Sequence, residues 1–130
     1  MLVDTSAWID FFRGRGAMAK AVDAALAADE VALCGPVLTE LRRGLATAAE
    51  RRKVLPLLAG CHLLVQPAEL WADAGDLAYA LRARGVVTKT LDLLIAAHAL
   101  SHSLPILTRD KDFGHMQRAG VPLLLVEVER

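Results

Sequence analysis

Met1-Leu2-Val3-Asp4-Thr5-Ser6-Ala7-Trp8-Ile9-Asp10-Phe11-Phe12-Arg13 carries both signals on which the fold turns. Met1–Val3 is a short apolar run that reads as a strand and ends at Asp4. From Thr5 to Arg13 the residues Trp8, Ile9 and Phe12 recur at helical spacing, and Gly14-Arg15-Gly16 stops the run. The strand-then-helix step repeats along the chain. Met18–Ala28 reads as an Ala-rich helix and Glu30–Cys34 as a buried strand. Pro36 suits the first turn of a helix whose apolar stripe is Val37, Leu38, Leu41 and Leu45. Ala48–Leu58 is a short helix closing at Gly60, and Cys61–Val65 the next strand. Pro67 opens a long helix with the stripe Leu70, Ala74, Leu77 and Leu81, ended by Gly85 as a left-handed cap. Leu91–Ser101 is a compact helix with Thr90 as its N-cap. Pro105–Leu107 is a strand, Asp112–Arg118 contains one helical turn, and Leu123–Val126 is the closing strand.

Short apolar strands that alternate with helices pair in parallel, because a parallel neighbour needs a crossover and the helix supplies it. The expected class is α/β: a three-layer α/β/α sandwich around a central parallel sheet, formed as one domain over residues 1–130. In such folds the working crevice lies beyond the carboxyl ends of the strands, which directs attention to the residue after each one.

Composition narrows the function classes. At 130 residues there is room for one hydrophobic core, and a chain 55% hydrophobic is not disordered. With 5% aromatic residues, that core is built from Ala, Leu and Val. Fifteen Lys and Arg balance fifteen Asp and Glu, so nucleic acid would have to be gripped by a local patch and not by a bulk basic field. No apolar run reaches the ~18 residues of a membrane span. The longest, Leu91–Leu100 and Val121–Val128, are broken by Asp92 and Glu127. With no basic leader before Asp4, a secretory signal is not expected, and Cys34 and Cys61 read as reduced thiols of a cytoplasmic protein. Two Cys and four scattered His lack the spacing of a zinc site.

Most acids stand where solvent would take them, among them Asp23, Asp29, Glu30, Glu50, Glu69, Asp73 and Glu129. Four do not. Asp4 and Asp110 each follow a strand, where the plain alternative is a helix cap or turn residue. Asp92 shares a helix face with Ile95, Ala96 and Ala99, in a helix apolar enough for that face to be buried; the alternative is a first-turn acid facing the helix dipole. Glu40 flanks the Val37 and Leu41 stripe with Gly44 one turn above it, leaving space over the carboxylate; the alternative is a pair with Arg43 at i+3. Taken together, two strand-end acids and two helix acids that could lean over those ends form a cluster that needs cations, since unpaired carboxylates raise one another's pKa. All-oxygen ligation suits Mg²⁺ or Mn²⁺ and not zinc. A metal so held is the apparatus of phosphodiester hydrolysis.

The chain resembles the PIN-domain ribonucleases of the VapC type, the toxins of bacterial toxin–antitoxin pairs. The resemblance rests on Val3-Asp4-Thr5-Ser6-Ala7-Trp8, Glu40-Leu41-Arg42-Arg43-Gly44, Asp92-Leu93-Leu94-Ile95-Ala96-Ala97 and Leu107-Thr108-Arg109-Asp110-Lys111-Asp112-Phe113. In order and spacing these cover Met1 to about Val126. The resemblance implies metal-site acids at Asp4, Glu40, Asp92 and Asp110, with Asp112 as a substitute for Asp110 or a member of the surrounding shell. It also implies that Thr5, Ser6 and Thr108 supply hydroxyls that orient the carboxylates or a water. Arg13, Arg42, Arg43, Lys89, Arg109 and Lys111 could form a positive rim that holds RNA phosphates around the acidic centre. The function so implied is a Mg²⁺-dependent endoribonuclease, toxic in the cell, acting on structured cytoplasmic RNA to leave a 3′-hydroxyl, with a small antitoxin partner and a homodimeric state. Two other readings stand beside it. One is a PIN-like module that binds RNA or protein without cutting. The other is a Mg²⁺-dependent phosphatase or receiver domain, for which no Asp-x-Asp-x-Thr signature follows the first strand.

Overall fold

The computed structural model describes residues 1–128, so Glu129 lies outside the described residues. The chain runs β1 (Leu2–Val3), α1 (Thr5–Phe12), α2 (Gly16–Ala27), β2 (Ala32–Leu33), α3 (Gly35–Arg43), α4 (Ala48–Ala59), β3 (His62–Leu63), α5 (Leu70–Ala83), α6 (Thr90–His102), β4 (Ile106–Leu107) and α7 (Lys111–Arg118). The four strands form one parallel sheet in the order β3-β2-β1-β4. Helices flank that sheet, as the α/β/α reading expects. Regular pairing is brief, two residues per strand. Backbone bonds extend it, from Leu2 N–H to the Pro105 carbonyl (2.8 Å) and from Asp4 N–H to the Leu107 carbonyl (2.9 Å).

Strand order decides where a site can form. From β1 the chain steps outward through β2 to β3, then returns across the sheet to set β4 on the opposite side of β1. The order reverses between β1 and β4, and at such a switch point the loops leave the sheet in opposite directions and open a crevice at the strands' carboxyl ends. The residues that follow these two strands are Asp4 and Thr108.

The core is aliphatic, as the composition requires. Leu2, Val3, Leu33, Ile106 and Leu107 of the sheet are buried against Trp8, Val37, Leu41, Leu81, Ile95 and Phe113 of the helices. Helix α1 packs on α2, and α5 on α6. Around Trp8 the rings of Phe12 (stacked, 5.6 Å between centroids) and Phe11 (edge-on, 5.9 Å) gather half of the few aromatic residues in one place.

Several local expectations are corrected. The segment Leu123–Val126 is not a full strand: it joins the sheet by a single bridge, Ile106 to Leu125. The Cys61–Val65 run shortens to a two-residue strand, His62–Leu63, exposed at the edge of the sheet. Helix α6 is buried all round from Asp92 to Ala99, so it has no solvated face to set against Asp92; even His98 is buried and bonds the Leu94 carbonyl through Nδ1 (2.8 Å). Lys89, not Thr90, occupies the N-cap of α6. The turn near Asp112–Arg118 is an eight-residue helix, α7. Gly85 does adopt the left-handed conformation (φ +79°) one residue beyond α5's C-cap. No helix among the described residues is long and apolar enough to cross a membrane.

Candidate functional site

Asp4 leaves β1 at the N-cap position of α1, yet its side chain makes no capping bond. Its Oδ2 instead accepts from the Thr108 hydroxyl (2.8 Å) and the Ser6 hydroxyl (2.9 Å). Those two hydroxyls touch each other at 3.1 Å and accept backbone N–H groups from the next loop: Arg109 N–H to Ser6 Oγ and Asp110 N–H to Thr108 Oγ1, both 2.9 Å. A buried carboxylate with satisfied acceptors is thereby tied to the segment between β4 and α7. Oδ1 takes no part in these bonds.

Asp110 is a true cap: its Oδ1 accepts from Asp112 N–H at 2.9 Å and starts α7. The cap and site readings are therefore compatible, because a carboxylate has more lone pairs than one N–H can use. Glu40 does not pair with Arg43; its Oε1 accepts from the Thr5 hydroxyl at 3.1 Å, across from α3 to α1. Gly44 is not what leaves space above Glu40. A Cβ there would meet only the Glu40 and Leu41 carbonyls at an ordinary 3.5 Å.

Asp92 lies in the first turn of α6 and is 8% exposed. Its Oδ2 is buried without a hydrogen-bond partner. Burial pushes the carboxyl up to about 7, helped by the charges of Asp110, Asp4 and Asp112 and opposed by Lys89. One oxygen from each of Asp92, Asp110 and Asp112 lies within 4.8 Å of the others.

These groups surround a cavity of about 390 Å³ at the β1/β4 crevice. Asp4, Thr5, Ser6, Glu40, Lys89, Asp92, Arg109 and Asp110 line it. Asp112 stands behind Asp110, within the carboxylate cluster but not in the lining, and Thr108 meets the site through Asp4. Arg13, Arg42, Arg43 and Lys111 are exposed and outside the lining, so of the six expected basic contacts only Lys89 and Arg109 face the cavity. Asp10 went unread in the sequence. It is 5% exposed on α1 and bonds the Nε of Arg109 at 2.8 Å. An acid between Ile9 and Phe11 in an otherwise apolar helix was the available signal.

The donor set fits a hard divalent cation. It is all oxygen, it gathers at one cavity, and it leaves a buried carboxylate oxygen unpartnered, which a cation would satisfy.

The family described as PIN domain matches residues 1–119. Ribonuclease VapC11 of Mycobacterium tuberculosis is 34% identical over 123 residues, covering 91% of this chain and 92% of that protein. The solved structure of VapBC-5, a member of the VapBC family of toxin–antitoxin systems from M. tuberculosis, is similar with a TM-score of 0.67 and 30% identity over 96% of this chain and 97% of that one. VapBC2 from Rickettsia felis, bound to a promoter DNA fragment, shares the fold with a TM-score of 0.77 at 20% identity, covering 98% of both chains.

Proposed function

The chain belongs to the PIN-domain family, on its VapC-type branch, and from that premise we propose that it is a Mg²⁺- or Mn²⁺-dependent endoribonuclease and the toxic member of a toxin–antitoxin pair. Residues 1–130 act as one nuclease domain. In this reading Asp4, Glu40, Asp92 and Asp110 hold the metal, with Asp112 supporting Asp110 or replacing it. The observation that carries it is the convergence of four acids from four separate elements on one cavity, with one oxygen of Asp92 buried and unpartnered.

When bound, the cation supplies Lewis-acid charge at the phosphoryl group and lowers the pKa of water to a reactive value. The protein's own residues do the rest. Ser6 and Thr108 hold the Asp4 carboxylate in one rotamer, and Thr5 does the same for Glu40. Such outer partners orient a metal-binding carboxylate and limit its rearrangement. Lys89 and Arg109 bring positive charge to a rim that otherwise repels an RNA backbone. The partner is a small antitoxin, supported by the VapBC-5 relative, a member of a toxin–antitoxin family; in this reading the toxin also pairs with a second copy of itself and works in the cytoplasm.

Purified protein incubated with RNA in Mg²⁺ should cut internally and leave 3′-hydroxyl ends, and chelator should stop it. Asp4→Asn should reduce cleavage to background with the fold intact by circular dichroism. An intact, folded wild type that binds RNA but never cuts it in Mg²⁺ or Mn²⁺ would make the protein a binding module instead.

A further inference from the structure

Asp10 and Arg109 form the one ion pair that a buried carboxylate makes among the described residues. Asp10 is on α1, one turn and a half beyond Asp4, and its Oδ2 accepts the Arg109 Nε–H at 2.8 Å. The guanidinium is not buried with it: the Arg109 side chain is 56% exposed and lines the acidic cavity. A guanidinium bound through Nε keeps its terminal nitrogens, and these make no hydrogen bond among the described residues. They are the donors that grip phosphate in a fork.

The backbone of Arg109 is held as firmly as its side chain. Its N–H donates to Ser6 Oγ, and Ser6 in turn donates to Asp4 Oδ2. Two bonds therefore connect Arg109 to a proposed metal-holding carboxylate, while Asp10 fixes the direction of its fork. A freely moving arginine beside Asp4, Asp92 and Asp110 would fold down onto those carboxylates and occupy the space a cation needs. Asp10 holds the Nε edge of the guanidinium at 2.8 Å and keeps it at the rim.

We propose that Asp10 is a positioning residue that holds Arg109 at the cavity rim as a clamp for one backbone phosphate of the RNA. This rests on the ribonuclease reading above. Neither residue takes part in proton transfer; Arg109 binds, and Asp10 acts through it.

The test measures equilibrium binding of a fluorescent single-stranded RNA of mixed sequence to protein carrying Asp92→Asn, which prevents turnover, across a range of KCl concentrations. One lost phosphate contact on a single strand lowers the slope of log K against log salt by about 0.7. Arg109→Ala should show that loss, and Arg52→Ala, on the exposed face of α4, should not. Asp10→Asn should weaken binding severalfold in the same direction, and Asp10→Asn with Arg109→Ala should be no weaker than Arg109→Ala alone. Because Arg109→Ala leaves Asp10 buried and unpaired, Asp10→Asn with Arg109→Ala, which removes that charge as well, serves for the slope if the single variant fails to fold. The double variant should show the same loss of about 0.7. The inference is overturned if Asp10→Asn lowers only the melting temperature and leaves affinity and slope at the parent's values, or if the two losses multiply. A parent protein with no affinity for RNA would overturn the ribonuclease reading as well, which separates the two failures.

Discussion

The carboxyl of Asp92 sits in the first turn of α6, where the amide dipoles favour negative charge, yet burial and the neighbouring Asp110, Asp4 and Asp112 push it up to about 7. The consequence for stability has a definite sign. A folded-state pKa above the ordinary 3.8 means that the native protein binds this proton more tightly than the unfolded chain does. The stabilisation is complete below about pH 3.8 and is lost as pH rises through about 7. In chelator, Asp92→Asn should therefore gain on wild type steadily between pH 4 and 7 and hold its advantage above that, as read by paired thermal melts. A cation prefers the carboxylate, so metal affinity should fall as pH drops below 7, with a proton released on binding. A melting difference that does not change with pH would remove Asp92 from the cluster. Burial acts in the same direction on Cys34: desolvation raises its thiol to about 11, so native protein should resist alkylation there until it unfolds.

Between elements, the segment from β4 to α7 does the registering. Thr108 donates to Asp4, accepts from Asp110 N–H and touches Ser6, so one hydroxyl joins the carboxyl end of β1 to the start of α7. Thr108→Val keeps the shape and removes all of these bonds. It leaves Asp110 N–H without its acceptor and Asp4 with one donor fewer, a loss of about 1–3 kcal/mol by the usual cost of a broken partly buried bond. Cleavage should fall about 10- to 100-fold, the range seen when an outer partner of a metal-binding carboxylate is removed. Denaturant melts and initial rates measured on the same preparation check both. Lost stability with full activity would make Thr108 a structural tie only. The helix ends carry a separate, local prediction. Ser103 closes α6 in the left-handed region (φ +53°), where a Cβ is strained, so Ser103→Gly should stabilise the protein by up to about 1 kcal/mol.

Across the fold, strand order and metal binding meet at one place. The switch between β1 and β4 sets Asp4 beside the β4 loop, α3 brings Glu40 in through Thr5, and α6 passes through the core to present Asp92. None of these carboxylates is near another in the unfolded chain, so a cation binds only the assembled state. Mg²⁺ or Mn²⁺ at a hundredfold excess over its Kd should raise stability by about 2.7 kcal/mol. The rise in melting temperature should be smaller in Asp4→Asn and Asp92→Asn and should vanish in chelator. Equal shifts in wild type and both variants would place the ion elsewhere.

Periodicity and punctuation in the chain were enough for the layer order, the parallel sheet and nearly every helix, because apolar spacing and the placement of Gly and Pro are local properties. The four motif acids were legible for the same reason: each stands after a strand, in an apolar helix or, for Glu40, beside the apolar stripe of its helix, where an acid is out of place. Strand lengths were not legible, since the apolar run of Cys61–Val65 looks the same whether it ends buried or on an exposed edge, and Leu123–Val126 pairs through one bridge only. Nor was the absence of a solvated side on α6, which depends on what packs against it. Cap and site at Asp110 looked like rivals along the chain and are one residue doing both. Asp10 stayed unread because its meaning lies in Arg109, 99 positions away in sequence and 2.8 Å away in space. A motif marks which residue types are present; the pairing of a buried charge is a property of distance, and distance between remote residues exists only once the chain has folded.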